Sequence, residues 1–252
     1  MRMKEYKAIV FDLFSTIAIW QPDRLPLFNW RGKTSHSTMG ALQESIESLV
    51  TEASFATFVD ALDQANETLA ARRASEMREI TSLERFELAL RNAGYAASSG
   101  TRDLAQTLSL QHMDLLANAV EIPPAHVKLL ERLSSEYPLA LVSNFDHGTT
   151  ARRILNRDGA ADYLSPIVVS DEHGWRKPHR KIFIDTLETL GVEAGEALYV
   201  GDSPEDDIVG AKTAGMDVAW VNARKIDLPA IGHDPDLTIG AIPELAEILL
   251  NE

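Results

Sequence analysis

The sequence has no cysteine among its 252 residues. Disulfides, thiolate nucleophiles and Cys-ligated zinc or iron–sulfur clusters are therefore excluded. Basic residues are also scarce, with 24 Lys and Arg against 38 Asp and Glu, for a formal net charge of −14. A surface that negative repels phosphate backbones and anionic lipid, which argues against nucleic-acid and membrane partners. It would equally repel a small anionic substrate, unless the site carried its own cations. Long hydrophobic runs are missing too. Ala8-Ile9-Val10-Phe11 follows a few basic residues, and Asp12 then interrupts it. That run is too short to span a bilayer and lacks a small-residue cleavage site, so a cytoplasmic protein is the simplest expectation. No repeat or low-complexity stretch is visible.

What is present is the composition of a globular chain, 45% apolar and 25% charged, with ample surface for a core. The C-terminal half alternates short apolar runs with amphipathic segments such as Ile182 to Leu190. The runs are Leu139 to Val142, Ile167 to Val169, Ala197 to Val200, Val218 to Val221 and, more weakly, Leu237 to Ile239. Continuous apolar strands separated by helices predict a parallel sheet covered on both faces, a doubly wound α/β fold. Ala8 to Phe11 is a strand of the same kind, yet the next begins only near residue 139. Residues 41–120 are rich in Ala, Leu, Glu and Gln, and Thr81-Ser82-Leu83-Glu84 reads as a capping box opening a helix. This predicts a helical insertion over 18–120 within an α/β core made of 1–17 and 121–252. Pro22 and Pro26 on one side and Pro123-Pro124 on the other mark the junctions.

Ligands of open parallel sheets bind beyond the carboxyl ends of the strands. Here the first strand ends in Asp12-Leu13-Phe14-Ser15-Thr16 and the second in Ser143-Asn144. Lys177-Pro178 precedes a helix after the third. The fourth ends in Gly201-Asp202-Ser203-Pro204-Glu205-Asp206-Asp207, followed by Gly210-Ala211. Each segment alone reads as a helix cap or a solvated residue. Together they place a carboxylate, a hydroxyl, an ammonium and an acidic cluster on one sheet edge.

The order of these segments resembles the haloacid dehalogenase-like hydrolase superfamily, across essentially all of the α/β core. The helical insertion sits where that family carries its cap domain, and Val200-Gly201-Asp202-Ser203 with Asp207 is the most specific match. The resemblance implies that Asp12 is a nucleophile forming an aspartyl-phosphate. It implies Mg²⁺ held by Asp12, the Phe14 backbone carbonyl, Asp202 and Asp207. Lys177 and Ser143 would assist as catalytic groups on the phosphoryl oxygens. Thr16, Ser143, Asn144, Lys177 and Arg31 make up the expected phosphate- or substrate-binding set. Asp206 reads as an acid of a helix first turn rather than a ligand.

Phe14 departs from the phosphatase pattern, whose second residue after the nucleophile is usually an Asp acting as general acid and base. An aromatic there is instead like the 2-haloacid dehalogenases, which use the same Asp on carbon without a metal. That branch, however, usually has small neutral residues where this chain has Asp202. The expected function is Mg²⁺-dependent hydrolysis of a small phosphorylated metabolite. The alternatives are a 2-haloacid dehalogenase, or a weakly active binding or regulatory member of the fold. Trp20, Phe28, Trp30, Arg31, Lys33 and His36 form an amphipathic cluster suited either to covering a polar ligand or to packing. His147, His173 and His179 fall in loops near the expected site, where capping is the simpler role for His147. Trp175 either positions Lys177 or packs. A monomer fits the charge, and an apolar face on the insertion would allow a homodimer.

Overall fold

A computed structural model describes residues 4–250. The chain divides into two compact units, Met1–Ile19 with Glu121–Glu252, and Trp20–Val120.

The first unit is built on six strands: β1 (Ala8–Phe11), β6 (Leu139–Ser143), β7 (Ile167–Val169), β8 (Ala197–Gly201), β9 (Asp217–Val221) and β10 (Leu237–Ile239). Their order across the sheet is β10-β9-β8-β1-β6-β7, and every pairing with a defined register is parallel. β1, β6 and β8 are buried along their whole length, as continuous apolar strands covered on both faces must be. Helices α5 (Pro124–Ser134), α6 (Gly148–Arg157), α7 (Ser170–His173), α8 (Arg180–Leu190), α9 (Val209–Ala214) and α10 (Leu245–Leu249) connect and flank the strands. α8 and α9 bring Ile182, Phe183, Leu187 and Ala211 into one core with Val10, Ala140, Val142, Tyr199 and Val218. This is the doubly wound architecture that the sequence predicts.

Topology fixes where chemistry can occur. β1 lies centrally, with Ile9 opposite Leu139 on one side and Leu198 on the other. From β1 the chain passes to β6 and β7 on one flank, then returns to β8, β9 and β10 on the other. That reversal makes the carboxyl ends of β1 and β8 a topological switch point, where side chains face a crevice rather than a covering helix.

The second unit is mostly helical: α1 (Thr38–Leu49), α2 (Phe55–Glu76), α3 (Ser82–Asn92) and α4 (Ser99–Asn118). The capping box forms as the sequence indicates. Thr81 Oγ1 accepts from the Glu84 N–H at 3.1 Å, and Glu84 Oε2 accepts from the Thr81 N–H at 3.0 Å. Phe86 and Leu90, four apart on α3, join Phe58, Leu62 and Leu108 in a separate core. Full burial of each such side chain is worth roughly 1.5–3 kcal/mol.

One element of this unit is not apparent in the sequence, a hairpin of β3 (Leu27–Trp30) and β4 (Lys33–His36). Its two turn residues, Arg31 and Gly32, both take positive φ (49° and 78°), as a tight two-residue hairpin turn requires. Phe28, Trp30 and Phe55 gather there with ring centroids 6.0–6.3 Å apart, so Phe28 and Trp30 pack within this unit. β2 (Ile19–Trp20) and β5 (Val120–Glu121) pair as a short ribbon at the two chain crossings. Among the described residues, no helix is long and apolar enough to cross a membrane.

Gly210 on α9 tests this packing. A Cβ there would come within 2.6 Å of the Phe183 ring and 3.1 Å of Pro178 Cα. Alanine in a helix normally adds up to about 1 kcal/mol over glycine. Here we expect Gly210→Ala to destabilise by about 1–3 kcal/mol through overpacking. A lowered thermal midpoint would bear this out, and a raised one would show that α9 yields freely.

Candidate active site

Each apolar strand ends abruptly in a polar residue, and those ends meet. Asp12 extends β1 by one ladder bond, its N–H donating to the Val200 carbonyl at 2.8 Å. The chain then turns back sharply. Ser15 sits at φ 62°, its N–H donates to the Ala18 carbonyl and the Ala18 N–H donates to Leu13, both at 2.7 Å. This compact loop buries Thr16 and leaves the Phe14 ring half-buried, 4.7 Å from that of Phe145 beyond the end of β6.

Lys177 lies at the centre and is only 2% exposed. Its Nζ is 2.6 Å from Asp12 Oδ1, 2.7 Å from Asp207 Oδ1, 2.9 Å from the Tyr199 hydroxyl and 3.1 Å from the Val142 carbonyl. Burial alone would lower its pKa, but Asp12 and Asp207 outweigh that, and the ammonium stays charged well above the usual lysine range. Asp12 goes the other way. Burial pushes its carboxyl up to about 7, against the pull of Lys177 and with help from the charges of Asp207 and Asp202. Asp202 is likewise raised to about 6 by burial and by Asp207.

The fourth segment places Asp202 and Asp207 through an unusual turn. The Ser203 carbonyl accepts from both the Asp207 and the Ile208 N–H, at 2.9 and 3.3 Å, giving one wide π-type turn over Pro204–Ile208. Such turns recur at functional sites. Asp207 also accepts from the Ser203 N–H through Oδ2 at 2.9 Å, and any side chain at Gly201 would run into its carboxylate. Asp202 is half-buried, and its carbonyl holds the Trp220 indole N–H at 3.0 Å.

One oxygen from each of Asp12, Asp202 and Asp207 lies within 4.8 Å of the others. With Lys177 these three carboxylates sum to −2 when all are ionised. An all-oxygen, doubly negative set suits a hard divalent cation. Two further atoms point to a ligand. Thr16 Oγ1 and Ser143 Oγ are buried and have no hydrogen-bond partner among the described residues. Such orphaned hydroxyls cost about 1–3 kcal/mol each, a cost that an acceptor entering the site removes.

The other residues singled out in the sequence have well-defined partners. The Asn144 side chain is engaged within the site. Its Nδ2 donates to the Lys177 carbonyl at 2.9 Å and to Asp206 Oδ2 at 3.1 Å, while its Oδ1 accepts from the Lys177 N–H at 2.7 Å. Through these bonds it braces the lysine's main chain. Asp206 has its N–H capped by Ser203 Oγ at 3.2 Å, in keeping with a first-turn acid. Arg31 lies at the hairpin turn of the second unit, paired with Asp60 of that unit at 2.7 Å. His36 Nδ1 is bonded to the Leu25 carbonyl at 2.6 Å. His147 occupies the N-cap of α6 and bonds Thr150 at 2.8 Å, and His173 meets Asp185 at 2.9 Å. Trp175 stacks on His179, the N-cap of α8, with centroids 3.8 Å apart. Tyr199 is the site residue that sequence reading missed. On a strand it counts as an apolar residue, and the one available signal is its place two residues before Gly201, on the same face of β8.

The raised carboxyls predict how stability depends on pH. Folded Asp12 and Asp202 titrate near 7 and 6, against about 3.9 in an unfolded chain. Between those values the folded state binds more protons, so this contribution to stability falls as pH rises from about 4 to about 7. In EDTA, Asp202→Asn is therefore expected to raise the melting temperature at pH 8, with a smaller gain at pH 5. An equal gain at both pH values would overturn this electrostatic account.

Comparison with known proteins places this site in context. The sequence model described as "Haloacid dehalogenase-like hydrolase" matches residues 50–221, a span that holds Ser143, Lys177, Asp202 and Asp207 but begins after Asp12. Pyrimidine 5'-nucleotidase YjjG of Escherichia coli (strain K12) is 34% identical over 127 residues, 50% of this chain and 56% of that protein. Glyceraldehyde 3-phosphate phosphatase of Pyrococcus furiosus is 32% identical over 135 residues, 52% of this chain and 55% of that protein. The chain thus spans about half the length of these relatives. A crystal structure of 2-haloacid dehalogenase from Pseudomonas syringae pv. Tomato DC3000 superposes at a TM-score of 0.73 with 25% identity, covering 98% of this chain and 99% of that one. YfnB of Bacillus subtilis, in a structure bound to magnesium, shares the fold at a TM-score of 0.64 and 20% identity, covering 98% and 100%. A family match over more than half the sequence agrees with the topology and with the residues gathered at the switch point: the chain belongs to the haloacid dehalogenase-like hydrolase family.

Proposed function

We propose that the protein is a phosphohydrolase that acts on a small phosphorylated metabolite through Asp12, with Mg²⁺ as cofactor and the helical unit as its cap. The observation that carries this reading is the charge of the site. Displacement on carbon by one carboxylate needs no third acid, whereas Asp12, Asp202 and Asp207 around Lys177 leave a surplus of −2. The named functions of the two relatives, a nucleotidase and a phosphatase, support the same chemistry.

In this mechanism a carboxylate oxygen of Asp12 attacks phosphorus, and the bond to the leaving oxygen breaks with its electron pair. Water then attacks the aspartyl-phosphate at phosphorus, releasing inorganic phosphate and restoring Asp12. Lys177 carries positive charge to the phosphoryl oxygens. The free hydroxyls of Thr16 and Ser143 are suited to donate to the same oxygens, which no ground-state partner occupies. Asp12, Asp202, Asp207 and the Phe14 carbonyl would hold the cation, which offsets the repulsion between the Asp12 carboxylate and the phosphate dianion. The side chain of Phe14 can neither give nor take a proton. Leaving groups that depart as stable anions should therefore be the better substrates.

A second reading is favoured by that same Phe14 and by the full-length likeness to a 2-haloacid dehalogenase. In it Asp12 displaces halide from a 2-haloacid without a metal.

Phosphate release from an aryl phosphate separates the two. We expect activity that requires Mg²⁺, is abolished by EDTA and falls by roughly 10³-fold or more in Asp12→Asn. Metal-independent halide release, with no phosphatase activity in a folded protein, would establish the second reading instead. Phe14→Asp should raise hydrolysis of alkyl phosphates by up to roughly 10²-fold and aryl phosphates much less. An equal or absent gain would show that the missing proton donor does not limit the rate.

A further inference from the structure

Lys177 Nζ has three protons and four oxygens within 3.1 Å. Two of those oxygens have other work in the proposed reaction. Asp12 must release the ammonium in order to attack, and Asp207 belongs to the acidic set that would hold the cation. The Val142 carbonyl and the Tyr199 hydroxyl are neutral and change in neither step. Of these, Tyr199 is the closer. Its ring is fully buried in β8 and lies edge-on against Phe183, with centroids 5.2 Å apart. Its hydroxyl reaches Asp207 Oδ1 at 3.0 Å and Val142 O at 3.3 Å as well as the ammonium at 2.9 Å. A phenol has one proton to give. If it goes to Asp207, the nearer and negatively charged acceptor, an oxygen lone pair remains for Lys177.

We infer that Tyr199 is a positioning residue for Lys177. It holds the ammonium from behind, so that when Asp12 turns to phosphorus the lysine stays in place and presents its released N–H to the phosphoryl group. Asn144 grips the other end of the same residue, its main-chain N–H and carbonyl. The lysine is thus held at the tip and at the root while the contact to Asp12 breaks. The anchoring stands on geometry alone, and its consequence for rate rests on the phosphohydrolase reading.

The test compares Tyr199→Phe with Phe183→Leu. The first removes one hydroxyl, and the second loosens the packing of the tyrosine ring while leaving the hydroxyl. Two quantities are measured: steady-state kinetics on an aryl phosphate with Mg²⁺, and the ¹⁵N-resolved signal of the Lys177 ammonium in the resting protein in EDTA. Tyr199→Phe should lower kcat by roughly 10²-fold, the cost of misplacing a catalytic group by about 1 Å, with KM nearly unchanged. It should also speed exchange of the ammonium protons by at least tenfold or broaden their signal away. Phe183→Leu should lower the melting temperature but keep both the signal and kcat close to wild type. An unchanged ammonium signal in Tyr199→Phe overturns the assignment whatever the reaction, as does an equal loss of kcat in Phe183→Leu. A wild type without phosphatase activity would overturn the reaction reading alone and leave the ammonium signal to decide for or against Tyr199.

Discussion

A charged amine with 2% of its surface in water is the constraint around which the first unit is arranged. Burying an ammonium costs several kcal/mol, recovered only if every proton finds a well-placed acceptor. Lys177 has Asp12, Asp207, Tyr199 and the end of β6 around it, so three segments far apart in sequence, the ends of β1 and β6 and β8 with its following turn, must converge within 3.1 Å of one atom. Removing one partner of such a buried pair typically costs 3–5 kcal/mol, because the charge left behind is uncompensated. The same arrangement sets the protonation of the site. Burial, reinforced by carboxylates that outnumber the ammonium, pushes the Asp12 and Asp202 carboxyls up toward neutral pH.

Convergence of this kind depends on the sheet. Parallel strands buried on both faces leave their polar residues nowhere to sit but the carboxyl edge. The register sets Phe11 beside Leu141 and Val200, so the residues that follow β1, β6 and β8 emerge at one level. Local details then refine the placement. Gly201 makes room for the Asp207 carboxylate, and the wide turn after Ser203 brings that carboxylate back over the strand it has just left.

Much of this is legible in the residues themselves. The strands declare themselves as continuous apolar runs, and Asp12, Lys177, Asp202 and Asp207 are recognisable by type and place. The β3–β4 hairpin is not, since its turn is Arg31-Gly32 rather than an Asn-Gly signal and every residue of β4 is exposed, which erases the alternation that marks a half-buried strand. Asn144 and Tyr199 escape for a different reason. An amide beside a serine at a strand end looks like a ligand-binding group, and only three-dimensional neighbours 33 and 62 positions away reveal a brace. A tyrosine within an apolar run reads as core, and its ring is core. Its hydroxyl gains meaning from a lysine 22 residues earlier. Nor does sequence distinguish a satisfied hydroxyl from the orphaned ones of Thr16 and Ser143, because that depends on what does not surround them.

The central position of β1 also bears on how the molecule is made. Ile9 pairs with Leu139 and Leu198, so the strand that ends in Asp12 has no partner until the chain has been extended by 130 residues, and only one until 189. At about 5–20 residues per second, an apolar strand waits roughly 10–40 s on the ribosome for its second neighbour. The intervening helical unit has its own core and makes mainly local contacts, which favours early folding. Synthesis therefore runs against the order of assembly: the segment bearing Asp12 emerges before the strands that enclose it. The strand offers two unpaired edges until β6 is made and one until β8 is, the state in which a chaperone or a second nascent copy would find it.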